Sequence, residues 1–174
     1  SPHLEIFKQK NIEVLLLSDR VDEWLVANFG EYEELPFKSI AKGDLGDLDS
    51  KKGKKEKEKT TKDFEKVITK VQEVLKDQVK EVKISSRLSE SPSCLVADEN
   101  ELGSNMERIM KSLGQDIPDT KPILEINPAH PLVEKLKKKI DEDLVKVLFD
   151  QAVLSEGGQI KEPAEFVKRM NKLM

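Results

Sequence analysis

The stretch DFEKVITKVQEVLKDQV, residues 63–79, repeats its apolar residues at the spacing of a helix. Such a repeat places the apolar side chains on one stripe of the helix surface, so the spacing predicts an amphipathic helix that packs on a core. The residues of this stripe are Phe64, Val67, Ile68, Val71, Val74, Leu75 and Val79.

Three short segments after this helix have the pattern of strands. KEVKISSRL alternates apolar and polar residues, SCLVAD follows a turn at Pro92, and KPILEIN ends at Asn127-Pro128. AHPLVEKLKKKI then begins another helix, with Pro131 at or near a position where a missing N–H does no harm. We therefore expect a small mixed sheet with helices packed on it.

The end of the chain predicts a helical hairpin. DEDLVKVLFDQAVLS, residues 141–155, carries apolar residues around most of its circumference, and a second helix begins near Pro163. Each buried apolar side chain contributes roughly 1.5 to 3 kcal/mol to stability, so a helix that is apolar on most sides needs cover on more than one face. We expect a second copy of the hairpin to provide this cover in a two-fold four-helix bundle. Packing of both faces inside one chain is the alternative. The predicted interface residues are Leu144, Val145, Val147, Leu148, Ala152, Phe166, Met170 and Leu173.

The first forty residues predict part of an α/β layer. IEVLLLS, residues 12–18, is an apolar run of strand length, and DRVDEWLVANF behind it has helical spacing. LPFKSI, residues 35–40, is a candidate second strand, so the three elements would form a βαβ unit.

A charged stretch separates this layer from the rest of the chain. KGDLGDLDSKKGKKEKEKTTK, which starts at Lys42, has almost nothing to bury, so the composition predicts a mobile linker. Its lysines alternate with glutamates and no aromatic residue accompanies them, which argues against a phosphate-binding role. We therefore divide the α+β chain into residues 1–41, a linker at 42–62 and a second domain at 63–174.

Composition narrows the function classes. A chain of 174 residues, 37% apolar and 37% charged, with a net charge of −4, indicates a soluble protein without a nucleic-acid surface over its whole length. The single cysteine, Cys94, excludes an internal disulfide, and no run approaches the roughly 18 apolar residues of a membrane span. We expect a cytoplasmic protein, and the opening SPHLEIFKQK, without an initiator Met, indicates a fragment of a longer one.

Catalytic and metal-binding patterns are weak. His3, His130 and Cys94 lack the spacing of metal ligands, and no glycine pattern forms a phosphate loop. Asp19 follows the apolar run, where α/β enzymes place a reactive carboxylate, but with Asp22 it also matches a helix N-cap. We expect capping roles for Asp19 and His130, and we predict no catalytic, cofactor-binding or metal-ligating residue. An α/β enzyme built around Asp19 is a rival class that lacks a companion motif.

The stretch GSNMERIMKSLG, residues 103–114, predicts a short amphipathic helix between two glycines. About ten residues are marginal as an isolated helix, so it must pack on something. Burial in a core explains its apolar face, but two methionines also suit a surface that adapts to many partners. The residues of this face are Met106, Ile109, Met110 and Leu113.

One family resemblance covers nearly the whole chain except residues 42–62. SPHLEIFKQKNIEVLLLSDRVDEW resembles the end of the middle domain of the ninety-kilodalton heat-shock chaperones, especially the bacterial members. SSRLSESPSCLVAD, MERIMKSLGQ, ILEINPAHPLV and LFDQAVLSEGGQIKEPAEFVKRMNKLM continue the resemblance. It implies that residues 1–41 end the middle domain and that residues 63–174 form the C-terminal dimerisation domain.

The resemblance also implies a function. It indicates a molecular chaperone of protein folding and the stress response that works as a homodimer and binds non-native client polypeptides. ATP and Mg would be bound by an N-terminal domain before Ser1, so we expect no ATPase activity and no cofactor in this fragment. Co-chaperones are further implied partners, although the ending KRMNKLM argues against those that read an acidic tail.

The implied client-contacting residues lie in two segments. A dimerisation module with a buried methionine helix and no client binding is the alternative function. The chain reads LVANFG after its tryptophan, so neighbouring polar contacts are not carried over. The client-contacting residues implied by the resemblance are Trp24, Met106, Ile109, Met110 and Leu113.

Overall fold

The computed structural model describes residues 1–45, 51–98, 110, 112–114 and 120–174, and they form the predicted mixture of helices and small sheets. The helices are α1 (Glu5–Gln9), α2 (Arg20–Asn28), α3 (Lys51–Asp63), α4 (Glu65–Val74), α5 (Pro131–Lys138), α6 (Glu142–Ser155) and α7 (Pro163–Leu173), preceded by a 3-10 turn at Pro2–Leu4. The strands are β1 (Glu31–Tyr32), β2 (Leu35–Pro36), β3 (Glu81–Ile84), β4 (Ser93–Val96) and β5 (Ile123–Ile126).

A three-stranded mixed sheet lies at the centre of the second half, as predicted. Its order is β3-β5-β4, with β5 parallel to β3 and antiparallel to β4. Leu124 of β5 pairs with Val82 on one side and with Leu95 on the other. All four residues of β5 are buried, which is the pattern of a central strand covered on both faces.

The predicted stripe on α4 lies in the main hydrophobic core. Val67 and Val71 of α4 are buried together with Leu75, just after the helix, and they pack with residues of the sheet, α5 and α6. Ile68 and Val74 lie at the edge of this core and are partly buried. The 3.6-residue repeat therefore identified both the helix and the face that it buries.

Part of the predicted dimer surface is buried within the single chain. Five residues of α6 are no more than 3% exposed within the single chain, and the Ser93 hydroxyl donates a hydrogen bond to the Leu148 carbonyl at 2.8 Å. Side chains that are already covered by their own chain are not available to a second copy. Packing inside one chain was the alternative that the sequence left open. The residues that are buried in this way are Leu144, Val145, Val147, Leu148 and Ala152.

The first forty residues do not form the predicted βαβ unit. Helix α2 is present, but residues 12–18 have no strand assignment, and β2 pairs with β1 in a short antiparallel hairpin. An apolar run forms a strand only where a neighbouring strand pairs with its backbone N–H and C=O groups. No described strand lies beside residues 12–18. The hairpin turn contains Glu33 and Glu34 at φ values of 48° and 66°.

The charged stretch also differs from the predicted mobile linker. Residues 51–63 form α3, and Lys57 of this helix lies 3.2 Å from the Asp44 carboxylate. Lysine and glutamate are good helix formers, so a segment that has little to bury can still be helical. Residues 46–50 of the predicted linker lie outside the described residues.

Candidate binding surfaces

Helix α2 presents Trp24 on the outside of the molecule. Asp19 is the N-cap of this helix and forms a capping box with Asp22, in which the Asp19 N–H donates to the Asp22 carboxylate at 2.8 Å, so the predicted capping role of Asp19 is confirmed. At the other end, the Asn28 side-chain amide donates to the Trp24 carbonyl at 2.8 Å. Trp24 is 65% exposed, so a large amphipathic ring projects from a helix whose two ends are both hydrogen-bonded.

Other apolar side chains of the same segment are exposed as well. They lie on the run before α2, on the helix itself and on the β1–β2 hairpin. Exposed apolar residues that follow one another closely along a chain mark an interaction surface more often than isolated ones do. Besides Trp24, this segment exposes Ile12, Leu15, Leu16, Leu17, Val21, Leu25, Phe29, Tyr32 and Leu35.

The predicted methionine helix is described only at its end. Met106 and Ile109 lie outside the described residues, whereas Met110 is half-buried and Leu113 is 72% exposed. The Leu113 N–H donates to the Met110 carbonyl at 3.1 Å, and Gly114 follows at a φ of 75°, a conformation that glycine adopts at helix ends. Among the described residues, no hydrogen bond joins this end to Trp24.

Ion pairs connect the last two helices. Arg169 lies 3.6 Å from Asp150, and Lys172 lies 2.9 Å from Asp143. The hydrogen bond from Lys172 is the main reason why the pKa of Asp143 lies below its ordinary value. These contacts hold α7 against α6.

The apolar residues of α7 remain accessible. No residue of this helix is buried, and Phe166, Met170 and Leu173 of the predicted dimer surface are half-buried. Val167 on α7 and Leu154 at the end of α6 are exposed. The two helices therefore carry an apolar surface that differs from the face of α6 covered by the core.

His130 and Cys94, which were considered for chemistry, lie in different environments. The Nδ1 atom of His130 accepts a hydrogen bond from the Leu132 N–H at 3.2 Å, which confirms the predicted cap of α5. Cys94 is fully buried, and burial raises the pKa of its thiol. Within the described ranges, no group of three or more His, Cys, Asp or Glu residues could hold a metal ion. None of the helices in these ranges is long and apolar enough to cross a bilayer.

A buried ion pair, which the sequence patterns did not predict, lies between Arg87 and Glu125. Arg87, which is 1% exposed, donates to the Glu125 carboxylate from Nε at 2.9 Å and from Nη2 at 3.1 Å. The Ser85 hydroxyl donates to the same carboxylate at 2.6 Å. A glutamate inside the apolar run ILEI was the available signal, because a buried charge requires a partner.

Comparison with known proteins identifies related sequences along the whole chain. A model described as Hsp90 protein matches residues 1–174. The chain is 77% identical over 174 residues to "Chaperone protein HtpG" of Ruthia magnifica subsp. Calyptogena magnifica and 78% identical over 174 residues to that of Vesicomyosocius okutanii subsp. Calyptogena okutanii. It is 55% identical over 178 residues to the protein of the same name from Nitrosomonas europaea. Each alignment covers 100% of this chain and 28% of the relative's length.

These comparisons correct one prediction. The expectation of a fragment without ATPase activity placed the ATP-binding region wholly before Ser1. The match does not bear out that placement, since it runs along the whole chain and members of the matched family bind ATP. The prediction of a non-enzyme without a cofactor therefore does not stand.

Proposed function

Because the chain belongs to the Hsp90 family, we propose that it binds non-native polypeptides through exposed apolar side chains and associates with a second copy through its last two helices. The names of its relatives support a chaperone role. The observation that carries the proposal is the exposure of Trp24 on α2. The chain spans 28% of the length of these relatives, so this proposal concerns the surfaces that the segment itself carries.

Trp24 is suited to anchor a client polypeptide. Tryptophan is enriched among the residues that dominate binding energy, since it buries a large area with few rotatable bonds. Leu113 and Met110 supply a second apolar element, of which Leu113 is the more accessible. Two separate apolar elements on each copy would raise the avidity for an unfolded chain without requiring strong binding at either one.

The proposed contact between two copies involves the outer surface of α6 and α7. One face of α6 is already buried against its own chain. We therefore place the contact at the half-buried Phe166 and Met170 and at the exposed Leu154 and Val167. Leu173 remains part of the predicted surface, although it also packs against the core. A two-fold arrangement would place each of these residues opposite the same surface of its partner.

The placement within the longer protein is part of the same proposal. Residues 1–41 are proposed to end a middle domain and residues 63–174 to form a C-terminal dimerisation domain, with α3 between them. The charged composition of residues 42–62, between two segments that contain buried apolar residues, supports this division. A cytoplasmic location stays a prediction.

Client binding is tested by measuring the affinity of the chain for a fluorescently labelled, permanently unfolded polypeptide. We expect Trp24→Ala to weaken binding about tenfold or more, the effect of losing an anchoring side chain. We also expect Met110→Asp to weaken binding without changing the assembly state. Met174→Ala, which removes an exposed apolar side chain at the end of the chain, is the matched control and should bind normally. Unchanged affinity in Trp24→Ala would refute the role of this surface.

Assembly is tested by sedimentation equilibrium over a wide concentration range. We expect a dimer for the unmodified chain and at least about a tenfold weaker association for Val167→Asp, because a charge would be buried in the contact. Val21→Asp places the same charge at an exposed valine of α2 and should leave the dimer intact. A monomer at every concentration would reject the proposed contact.

A further inference from the structure

We infer that residues 85–91 form a clamp that grips both ends of the segment carrying Trp24 and thereby fixes its orientation on the three-stranded sheet. The first grip holds Glu5, and the second holds the backbone at residues 40–43. This inference goes beyond the proposed function and does not depend on it, because it rests on hydrogen bonds within one chain.

The first grip is a set of donors that converge on one carboxylate. The Glu5 side chain accepts hydrogen bonds from the N–H groups of Ser89 at 2.7 Å, Glu90 at 2.8 Å and Ser91 at 3.1 Å. The Ser91 hydroxyl donates to the same carboxylate, and the Ile6 N–H donates to the Arg87 carbonyl at 3.2 Å. Successive backbone N–H groups that point to one centre form an anion-binding nest, which Glu5 fills.

The charge of Glu5 strengthens this grip. Partial burial acts to raise the pKa of Glu5, but hydrogen bonds from the Ser91 side chain and from the backbone of residues 89–91 outweigh it and leave the pKa below its ordinary value. Hydrogen bonds to an ionised carboxylate are stronger than those between neutral groups. The first end of the segment is thus held by a charged group rather than by apolar packing alone.

The second grip is the guanidinium group of Arg87. Its Nη2 donates to the Gly43 carbonyl at 2.6 Å, and its Nη1 donates to the Ile40 carbonyl. The same guanidinium also donates two hydrogen bonds to the carboxylate of Glu125 on β5. Arg87 therefore connects the end of the Trp24 segment directly to the central strand of the sheet.

Backbone pairing reinforces the second grip. Lys42 forms a parallel bridge with Ala97, immediately after β4. The Gly43 N–H donates to the Ala97 carbonyl at 3.0 Å, and the Ala97 N–H donates to the Ala41 carbonyl at 3.2 Å. Residues 41–43, at the end of the Trp24 segment, thus pair with the backbone just beyond β4 and extend the edge of the sheet.

Both grips act on the same seven-residue loop, which is why the loop can fix an orientation. A segment anchored at one end can swing about that point, whereas a segment anchored at two ends must release one of them before it can turn. Between the grips, α2 and the hairpin have hydrogen bonds within their own segment, such as that from the Phe37 N–H to the Gly30 carbonyl at 3.0 Å. The two ends of the segment that carries Trp24 are therefore tied to the sheet through residues 85–91, and the first end is also held by the buried side chains of His3 and Phe7.

The chain offers a direct probe of this orientation. Trp24 is its single tryptophan and can act as an energy-transfer donor. An acceptor can be attached at Lys135→Cys on the exposed side of α5, because the single native cysteine, Cys94, is buried. In this labelled protein we compare Glu5→Ala with Glu13→Ala, which removes an exposed carboxylate of the same segment that lies outside the clamp.

We expect Glu5→Ala to change the transfer efficiency and to accelerate amide hydrogen exchange at residues 89–91 about tenfold or more. Slow exchange in β3 and β5 should persist and show that the core is intact. Glu13→Ala should match the parent protein in both measurements. Parent-like transfer and exchange in Glu5→Ala would overturn the first grip.

The second grip requires a variant that leaves no buried charge unpaired. Replacement of both partners, Arg87→Met with Glu125→Met, removes the guanidinium while keeping the site filled with apolar groups. We expect faster exchange at Gly43 and Ala97 together with a change in transfer efficiency. Parent-like values in this double variant would overturn the second grip, and if the double variant does not fold, Glu5→Ala decides the inference.

Discussion

Two apolar segments of similar composition have opposite environments in this chain. In EVLLLS, before α2, Leu16 is 74% exposed, whereas Leu124 in the run ILEI of β5 is fully buried. The second run lies between two strands that satisfy its backbone, and helices cover its faces. Apolar content therefore decides that a segment can be buried, but neighbouring strands decide whether it is.

The buried ion pair should show the largest contrast between the core and the surface. We expect Arg87→Met to lower the free energy of unfolding by about 3–5 kcal/mol, because Glu125 would stay buried without its partner. Lys57→Met breaks the ion pair with Asp44, whose carboxylate is exposed, and should cost about 0–1 kcal/mol. Urea denaturation measures both. Equal losses would mean that Glu125 finds other donors or water when Arg87 is removed.

The apolar comparison itself can be tested with two leucines. Leu124→Ala should lower the free energy of unfolding by about 2–5 kcal/mol, since it opens a cavity in the centre of the sheet. Leu16→Ala makes the same chemical change at an exposed position and should stay within about 0.5 kcal/mol. Denaturation midpoints of the two variants give the comparison. A large loss for Leu16→Ala would show that its segment packs against something in solution.

The sequence predictions were correct for the buried elements and less so for the exposed ones. Helix α4 and strands β3, β4 and β5 were predictable because their apolar spacing reflects a face that is buried by nearby elements. The strand expected at residues 12–18 was wrong because spacing does not say whether a pairing partner exists. Helix α3 was missed because its composition was judged by what it could bury and not by its helix propensity.

The surfaces were harder to predict than the core. The apolar circumference of α6 correctly indicated burial, but it could not distinguish a cover from the same chain from one supplied by a second copy. The contact between Arg87 and Glu125 joins residues 38 positions apart, so no local pattern announces it. Trp24 was found through a family resemblance rather than through spacing, and its exposure is what the structure adds.

Two glycines extend the comparison to the backbone. A Cβ atom at Gly158, which follows α6, would lie 2.8 Å from Val153 Cγ1 and 3.0 Å from the Val153 carbonyl oxygen. We therefore expect Gly158→Ala to cost about 1–3 kcal/mol, because the contact with backbone cannot be relieved by a side-chain rotation. At Gly30, between α2 and β1, no described residue other than the chain neighbours places an atom within 4 Å of such a Cβ atom. Gly30→Ala should leave the thermal midpoint unchanged or raise it slightly.

The smallest effect concerns the pH dependence of the Glu5 contact. Since the folded-state pKa of Glu5 is lowered, its contribution to stability is complete above the ordinary carboxyl pKa of 4.5 and is lost as the pH falls through the lowered value. The stability difference between the parent protein and Glu5→Gln should therefore shrink as the pH is reduced below about 4.5. Glu13→Gln, which removes an exposed carboxylate of the same segment, is the control variant. Denaturation curves at a series of pH values test this, and a difference that grows on acidification would contradict an ionised Glu5 in the folded chain.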